Sequence, residues 1–414
     1  MKKPREGIRV VLGVSGSIAA YKSVELVRYL MSRGCQVRAI LTDSGARFVT
    51  PFVLETITRH PVTTSFWNET QPGAIGHIEL ADWADVVVVA PATADTIAKL
   101  RHGFGESPLL AVALATRAPL VVAPAMNARM YEHPATQGNL EELRARGVIV
   151  VEPEAGQLAC GWVGRGRLAD KREIYATLQR SVATQDLAGK RVVVTAGPTR
   201  EAVDPVRFLS NRSSGKMGIA LAREAFRRGA EVTLIHGPIA GAFLPRGVTC
   251  VGVSTAAEML EAVVSKTFAG CSDVLIMAAA VADYRPASSS PAKIKKGTAG
   301  LSLELVANPD ILRLVGEKRG DSPSPLIIGF AVETGSPAEL VAEARRKMIS
   351  KSADMIVGNL AGDAFDKDTN RVWIVRRDGC DEEVATASKG RVARRILDAI
   401  VSLQELACRK ALQH

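Results

Sequence analysis

Short runs of consecutive apolar residues alternate with longer amphipathic segments along most of the chain. Within these runs apolar and polar residues do not alternate, which is typical of parallel strands that helices cover on both faces. In the first half, the runs predict strands at residues 8–12, 37–41, 86–90, 120–123 and 148–151. Amphipathic helices are predicted between them, for example at residues 19–33 and 93–100. The pattern therefore predicts a doubly wound α/β domain with ligand loops at the carboxyl ends of its strands.

A second series of strands begins after a polar connector at residues 185–190. Residues 191–197 predict a strand that runs into a glycine turn, and residues 171–184 predict the helix that closes the preceding domain. Further strands are predicted at residues 232–235, 274–277, 326–328, 355–357 and 372–375. We therefore predict two α/β domains with doubly wound, Rossmann-like sheets, over residues 1–186 and 187–414.

Composition and charge narrow the classes of function that the chain can have. With 47% hydrophobic and 23% charged residues, the chain has the balance of a folded protein and not of a disordered one. The net charge of +10 suits anionic small molecules as well as nucleic acid, but only 5% of residues are aromatic, which disfavours a base-stacking surface.

The six cysteines are scattered without a C-x-x-C pair, so a disulfide framework and structural zinc are disfavoured and a cytoplasmic location is predicted. The longest apolar run, at residues 274–282, is too short to cross a membrane.

The first predicted strand runs into a turn of small residues at positions 13–20, which precedes a helix. Small residues let backbone N–H groups approach a phosphate, and the helix N-terminus adds its dipole. The turn is not G-x-G-x-x-G, so a plain tight turn before a helix remains an alternative. Residues 91–96 and 124–127, together with His77, would place hydroxyl, amide and imidazole groups at the ligand edge of the sheet. Taken singly, His77 is more often a surface histidine, and Asn127 is more often a helix cap.

Five segments of the first domain, in this order, resemble the flavin-dependent cysteine decarboxylases that convert phosphopantothenoylcysteine to phosphopantetheine. The segments are residues 13–20, 77–80, 91–96, 124–130 and 156–161. The resemblance implies a flavodoxin-like domain in which FMN lies at the glycine turn, near Ser15, Gly16, Ser17, Ser44 and Thr93. It also implies that His77 is the catalytic base, that Asn127 binds the substrate carboxylate, and that Cys160 is a proton donor on a flap. In that family the flavin oxidises the cysteine thiol before CO2 leaves, and the product is then reduced and protonated.

Glycines, hydroxyls and arginines are dense at residues 196–218, directly after a buried strand of the second domain. This composition predicts anion capture before a helix that begins near Gly215, although a capped helix with solvated arginines remains an alternative. A P-loop is not present, because Ser210 stands at the first glycine position and Met217 at the hydroxyl position of that motif.

Basic residues that follow on later segments would suit a triphosphate. Residues 293–296 form one such group inside a stretch, residues 286–300, whose Ser, Pro and Lys content predicts a mobile loop. Lys347 and Lys351 are four residues apart and are therefore predicted to share one face of a helix. Read alone, the run at 293–296 is more often a solvated group of charges.

The second domain resembles the phosphopantothenate–cysteine ligases from about residue 187 to residue 400, and the whole chain resembles the bacterial bifunctional family of coenzyme A biosynthesis. The resemblance implies that CTP activates phosphopantothenate as an acyl-cytidylate, that cysteine displaces CMP, and that Mg²⁺ neutralises the triphosphate. It implies catalytic roles for Asn211 and Lys293, with Asn211 holding the acyl group near Arg207 and Ala280. The implied CTP contacts are Asp283, Lys293, Pro309, Asp310, Ile311, Leu312, Phe330, Lys347 and Lys351. Decarboxylase trimers joined by ligase dimers are also implied.

Two other classes of protein share parts of this pattern. A nicotinamide dehydrogenase with tandem nucleotide domains is disfavoured because the dinucleotide fingerprint is missing. A regulatory flavoprotein without activity is disfavoured because His77, Asn127 and Cys160 occur together. Binding to nucleic acid or to a membrane is not expected, and the residues that hold the metal are not predicted.

Overall fold

The computed structural model describes residues 7–67, 76–158, 161–296, 301–360, 362 and 367–411. The chain divides into two compact units, Met1–Ala183 and Thr184–His414. The division precedes the boundary that we predicted after Asp186, because the connector packs onto the second unit. The Asp186 carboxylate accepts a hydrogen bond of 2.8 Å from Nε of Arg228, whose Nη1 also donates to Asp398.

The first unit contains a five-stranded parallel sheet with the strand order β2-β1-β3-β4-β5. Its strands are β1 (Arg9–Val14), β2 (Gln36–Leu41), β3 (Val86–Ala92), β4 (Leu120–Pro124) and β5 (Ile149–Val150). Both faces of β1 are buried, since Val10 and Leu12 pack in one apolar cluster and Val11 packs in another. This explains why the apolar runs do not alternate with polar residues. The strand order is that of flavodoxin-like folds, as the resemblance implied.

Helices cover the two faces of this sheet. They are α1 (Tyr21–Ser32), α2 (Asp43–Ala46), α3 (Pro51–Thr58), α4 (Gly76–Trp83), α5 (Ala94–His102), α6 (Pro108–Ala115), α7 (Ala128–Glu132), α8 (Pro134–Ala145) and α9 (Lys171–Ser181). A separate antiparallel hairpin, β6 (Glu154–Gln157) and β7 (Val163–Arg167), follows β5. The segment that the resemblance implies to be a flap, with Cys160, falls between these two strands in the sequence.

The second unit contains an eight-stranded sheet. Its strands are β8 (Arg191–Ala196), β11 (Glu231–His236), β12 (Thr249–Gly252), β13 (Val274–Met277), β16 (Leu326–Glu333), β17 (Met355–Leu360), β18 (Thr369–Arg376) and β19 (Glu382–Ser388). They follow the order β12-β11-β8-β13-β16-β17-β18-β19, in which the first six strands are parallel, and β18 pairs antiparallel with both β17 and β19. The parallel part has the strand order of the Rossmann fold, so the prediction of two doubly wound domains is confirmed.

The remaining elements of the second unit lie around this sheet. The helices are α10 (Lys216–Arg227), α11 (Ala256–Val264), α12 (Ile311–Arg319), α13 (Pro337–Ser350) and α14 (Lys389–Ala411). Two small hairpins pair β9 (Arg200–Ala202) with β10 (Phe208–Ser210), and β14 (Tyr284–Pro286) with β15 (Leu305–Ala307). In the described part of the chain, no helix is both long enough and apolar enough to cross a membrane.

Candidate active sites

Each unit has one point where the strand order reverses. In the first unit this point lies between β1 and β3, and in the second between β8 and β13. Loops that leave the carboxyl ends of neighbouring strands diverge at such a point and open a crevice for a ligand. Segments that carried the sequence motifs follow β1, β3 and β4 in the first unit, and β8 and β13 in the second.

Ser15 is a buried tie between two strand ends. Its hydroxyl donates a hydrogen bond of 2.7 Å to the carbonyl oxygen of Pro91 and accepts one of 3.0 Å from the N–H of Thr93. The Thr93 hydroxyl in turn caps α5 by accepting a hydrogen bond from the N–H of Thr96. Since Ser15 is only 1% exposed, it shapes the crevice by fixing the positions of its neighbours.

Gly16 and Ser44 meet at close range beside this tie. A Cβ atom added to Gly16 would lie 2.3 Å from the Cβ of Ser44, so only glycine allows this approach. Together with Thr93, they line a cavity of about 640 Å³ that extends along α5 and α6. The structure thus brings together Gly16, Ser44 and Thr93, three of the residues that the sequence assigned to the flavin.

Ser17 and Asn127 border a second cavity, of about 610 Å³, on the other side of the turn. Oγ of Ser17 donates to the carbonyl oxygen of Ala125 at 3.3 Å, which ties the turn after β1 to the segment after β4. Oδ1 of Asn127 accepts a hydrogen bond of 2.9 Å from the N–H of Arg129 and caps α7. The interpretation of Asn127 as a helix cap, to which its sequence position alone pointed, is therefore correct. Asn127 also borders the cavity, so its role as a cap does not exclude a second role there.

The β6–β7 hairpin lies directly against the Asn127 segment. The N–H of Met126 donates to the carbonyl oxygen of Gly166 at 3.0 Å. A Cβ atom on Gly166 would lie 2.2 Å from the Met126 oxygen, and one on Gly164 would lie 2.7 Å from the Cβ of Ala128. The two glycines therefore let the hairpin cover this segment. Cys160, the predicted proton donor, lies outside the described residues.

His77 lies in the first turn of α4 and not at a strand end. Its ring packs edge-to-face against Phe66, with ring centroids 5.3 Å apart. The Nδ1 atom is buried and has no hydrogen-bond partner among the described residues. A buried ring nitrogen without a partner is unusual, and it marks this histidine as more than a surface residue.

In the second unit, the loops after β8 and β13 are fastened to each other. The N–H of Ala280 donates to the carbonyl oxygen of Gly197 at 2.9 Å, and the Thr199 hydroxyl accepts from the N–H of Ala282 at 3.0 Å. Nδ2 of Asn211 donates to the carbonyl oxygen of Val281 at 2.9 Å. The predicted substrate residues Asn211 and Ala280 therefore lie together at the switch point.

A cavity of about 130 Å³ opens at the N-terminus of α10. Gly215 precedes the helix with φ of 70° and provides no side-chain cap, so the first N–H groups of α10 are available to an anion. The predicted residues Ala280 and Phe330 line this cavity. The helix that we predicted to begin near Gly215 begins at Lys216.

Asn359 and Asn370 line the same cavity, and sequence analysis missed both. They are 6% and 2% exposed, and neither Oδ1 atom has a hydrogen-bond partner among the described residues. Asn359 is the penultimate residue of the buried strand β17, and a lone amide in such an apolar run was the available signal. Because buried amides normally have partners, these two side chains are well suited to contact a ligand.

The other residues implied to bind CTP lie outside that cavity's lining. Lys351 follows α13, which ends at Ser350, as its capping residue, and its N–H donates to the carbonyl oxygen of Lys347 at 3.0 Å, so the two lysines lie one helical turn apart as predicted. Nζ of Lys347 lies 2.7 Å from Glu333, and Nζ of Lys351 lies 3.0 Å from Asp310. Each ammonium group thus has a carboxylate partner that a triphosphate would have to replace or join.

The segment at the start of α12 contributes mostly backbone to the surface. Asp310 caps this helix by accepting a hydrogen bond of 3.1 Å from the N–H of Arg313, and Pro309 is half-buried. Ile311 and Leu312 are only 3% and 8% exposed, because their side chains pack in the apolar core. Side-chain contacts from these two residues to a nucleotide are therefore not expected, whereas backbone contacts remain compatible with the fold.

Arg207, Asp283 and Lys293 are exposed and lie, respectively, between β9 and β10, between β13 and β14, and between β14 and β15. Nη1 of Arg207 lies 3.3 Å from Oδ2 of Asp204, and the carbonyl oxygen of Asp283 accepts a hydrogen bond from the N–H of Asn308. The described residues contain no group of three or more His, Cys, Asp or Glu side chains that could hold a metal ion.

Comparisons with known proteins agree with this division into two functional halves. Residues 1–183 match the flavoprotein family, and residues 187–403 match the C-terminal domain of the DNA/pantothenate metabolism flavoproteins. The chain is 43% identical over 403 residues to the Coenzyme A biosynthesis bifunctional protein CoaBC of Bacillus subtilis (strain 168), covering 96% of this chain and 97% of the relative. It is 44% identical to the protein of that name from Mycobacterium tuberculosis (strain ATCC 25618 / H37Rv), with 95% and 96% covered. For Vibrio cholerae the identity is 42%, with 95% and 98% covered. Because the matches are this similar over nearly the full length, the chain belongs to the CoaBC family of bifunctional coenzyme A biosynthesis enzymes, which combine a decarboxylase with a ligase.

Proposed function

We propose that the second unit ligates cysteine to 4'-phosphopantothenate with CTP, and that the first unit decarboxylates the resulting phosphopantothenoylcysteine with FMN to give 4'-phosphopantetheine. The observation that carries the proposal is that each unit has its own crevice, bordered by residues that the sequence motifs singled out. Thr93 and Asn127 border the first crevice, and Asn211 and Ala280 lie at the second. A regulatory flavoprotein would not need the second crevice, and a dehydrogenase would need a dinucleotide fingerprint that neither unit has.

The first crevice fits FMN in size and in chemistry. Its two cavities, of about 640 and 610 Å³, fall within the usual range for small-molecule sites. The small turn at Gly16, the hydroxyl of Ser44 and the N-terminus of α5 suit a phosphate group. Bound there, FMN would supply the reversible oxidation and reduction that decarboxylation of a cysteine derivative requires.

Replacing Gly16 with alanine is expected to weaken flavin binding about tenfold. The added Cβ would lie 2.3 Å from the Cβ of Ser44, and overpacking of this kind costs about 1–3 kcal/mol. The flavin retained per chain, measured from its visible absorbance after dialysis, reports the change. Gly138→Ala in α8 is the matched control, because nothing lies within 4 Å of its added Cβ. Equal flavin retention in the two variants would contradict a flavin site at Gly16.

The side chains around the first crevice would bind the substrate and move protons. The Asn127 amide, at the edge of the cavity, would bind the carboxylate that leaves as CO2. His77, whose buried Nδ1 has no hydrogen-bond partner in the described part of the chain, would accept the proton that the thiol loses. Cys160 would donate a proton to the product from the segment between β6 and β7.

In the second unit, a carboxylate oxygen of phosphopantothenate would attack the α-phosphorus of CTP and release pyrophosphate. The cysteine amine would then attack the acyl carbon and release CMP. Asn211 and the cation of Lys293 would stabilise the charge that develops at the reacting groups. The N-terminus of α10 would bind the triphosphate, and Mg²⁺ would be held mainly by phosphate oxygens and water.

The full chain, supplied with phosphopantothenate, cysteine, Mg²⁺ and either CTP or ATP, tests the whole proposal. We expect phosphopantetheine, CO2 and CMP with CTP, followed by mass spectrometry. Formation of phosphopantothenoylcysteine without CO2 would contradict the decarboxylase assignment, and no ligation with either nucleotide would contradict the ligase assignment. We further propose that the enzyme is cytoplasmic and that it assembles as decarboxylase trimers joined by ligase dimers. Sedimentation of the same sample measures the size of this assembly.

The two activities are expected to separate when the chain is divided between residues 183 and 184. Each unit has its own apolar core, and a second piece that begins at Thr184 includes Asp186 and so retains its pairing with Arg228. Residues 1–183 should purify yellow and decarboxylate phosphopantothenoylcysteine, and residues 184–414 should be colourless and ligate cysteine. Flavin bound by the second piece and not by the first would contradict this assignment.

A further inference from the structure

Asp204, in the loop between β9 and β10, has a fully buried carboxylate that accepts four hydrogen bonds. Oδ1 accepts from the backbone N–H groups of Val206 at 2.8 Å and Arg207 at 2.7 Å. Oδ2 accepts from Nη1 of Arg207 at 3.3 Å and from the backbone N–H of Ile294 at 3.2 Å. The first three donors belong to the carboxylate's own loop, and the fourth comes from ninety residues further along the chain.

The fourth donor connects two parts of the ligase site. Ile294 directly follows Lys293, so its N–H fixes the backbone at the residue whose cation is assigned to catalysis. The loop of Asp204 leads through β10 into Asn211, whose amide is bonded to the segment after β13. A second backbone hydrogen bond, of 3.0 Å from the N–H of Ser290 to the carbonyl oxygen of Val203, joins the same two segments. The stretch that we predicted as a mobile loop is therefore anchored at Ser290 and Ile294.

We propose that Asp204 is a positioning residue of the ligase, whose carboxylate holds the Lys293 segment in register with the Arg207–Asn211 strand. The proposal rests on the ligase function assigned above to Lys293 and Asn211. Asp204 itself is covered by protein and makes no contact with the reactants. Its effect on ligation comes through the placement of the cation on Lys293, and a displacement of about 1 Å in such a group can cost about 100-fold in rate.

The charge of Asp204 supports this role. Burial raises the pKa of its carboxyl, but the N–H groups of Val206, Arg207 and Ile294, together with the Arg207 cation, outweigh burial and lower the pKa below its ordinary value. Because the pKa of Asp204 is lower in the folded state, its carboxylate stabilises the fold fully at pH values above the ordinary carboxyl pKa. This stabilisation is lost only as the pH falls through the lowered pKa. At neutral pH the Asp204 carboxylate is therefore ionised, and both of its oxygens act as hydrogen-bond acceptors.

Asp204→Asn is the first test, carried out on the full chain. The amide keeps the shape but turns one acceptor oxygen into an N–H donor that faces other donors. We expect kcat for ligation to fall about 100-fold and KM for CTP to change by much less than kcat, because Lys293 is one of several implied CTP contacts but carries the charge that stabilises the reacting groups. Asp204→Glu, which keeps the charge, is expected to recover part of the rate.

Asp273→Asn is the matched control. Asp273 also accepts a backbone N–H, from Arg191 at 2.8 Å, but it precedes β13 and so lies at the opposite edge of the sheet from the switch point. This variant is expected to ligate normally. In Asp204→Asn, and not in the control, tryptic cleavage after Lys293, identified by mass spectrometry, is expected to accelerate because the next N–H has lost its acceptor.

Ile294→Pro tests the bridge independently of the buried carboxylate, and it decides the question if Asp204→Asn fails to fold. Proline removes the bridging N–H and leaves the Asp204 loop intact. Ligation is expected to fall in this variant as in Asp204→Asn, whereas Lys295→Pro, one residue further on, is expected to have a smaller effect. Normal ligation by Ile294→Pro, or equal losses in the two proline variants, would overturn the proposal. Failure of the unaltered chain to ligate would instead contradict the ligase function, so the two outcomes are distinguishable.

Discussion

Replacing His77 with asparagine is expected to reduce decarboxylation about 1000-fold while ligation stays near the rate of the unaltered chain. The asparagine amide has nearly the shape of the ring atoms of histidine that lie closest to Cβ, but it cannot accept a proton near neutral pH. Loss of a positioned base typically lowers the rate 10²- to 10⁴-fold. Decarboxylation is measured as CO2 released from supplied phosphopantothenoylcysteine. Ligation is measured in the same preparation as CMP formed from CTP.

The buried Nδ1 of His77 gives this prediction its structural basis. The ring is held by Phe66, and the nitrogen has no partner among the described residues, so substrate is a chemically reasonable partner. His102→Asn is the control, because His102 is an exposed histidine of the same unit that contacts its neighbour Arg101. Equal losses of both activities in a folded His77→Asn protein would refute the assignment, and so would an equal loss in His102→Asn.

The fold was predictable wherever strands are buried on both faces. Strands such as β1 and β8 lie between two helical layers, and their continuous apolar runs identify them without structural information. The edge strand β19 was missed because its residues are polar and mostly exposed, with Val384 as the one buried side chain. Similarly, β5 pairs with β4 over two residues only, so the apolar run at 148–151 overstates the strand.

Residues that border the cavities could be singled out where local motifs mark them and not where distant segments meet. Gly16 and Asn127 border the two cavities of the first unit, and the sequence drew attention to them because they follow strands whose ends are visible in it. The role of Ser15 as a buried tie depends on Pro91, 76 residues away, and no local pattern records such a pairing.

Replacing Lys293 with glutamine is expected to reduce ligation about 100- to 1000-fold and to leave decarboxylation unchanged. Glutamine keeps the length and hydrogen-bonding capacity of the side chain but removes the cation, and loss of one group that stabilises developing charge has an effect of this size. CMP and pyrophosphate formation measure the two halves of the ligase reaction. If the cation acts on the acyl-cytidylate step, pyrophosphate release falls as much as CMP release.

Lys295→Gln separates this specific role from a general effect of the basic run. Lys293 and Lys295 are both exposed and lie two residues apart. If the basic run only attracted the triphosphate through its total charge, removing either cation would weaken that attraction, and slow ligation, by about the same amount. Such an attraction is also screened by salt, whereas a cation placed at the reacting groups is screened much less. We therefore expect the Lys293→Gln loss to persist at high salt, with Lys295→Gln changing ligation less than about twofold. Matching losses that vanish together as salt is raised would mean that the run acts as a solvated group of charges, and that no single lysine in it is catalytic.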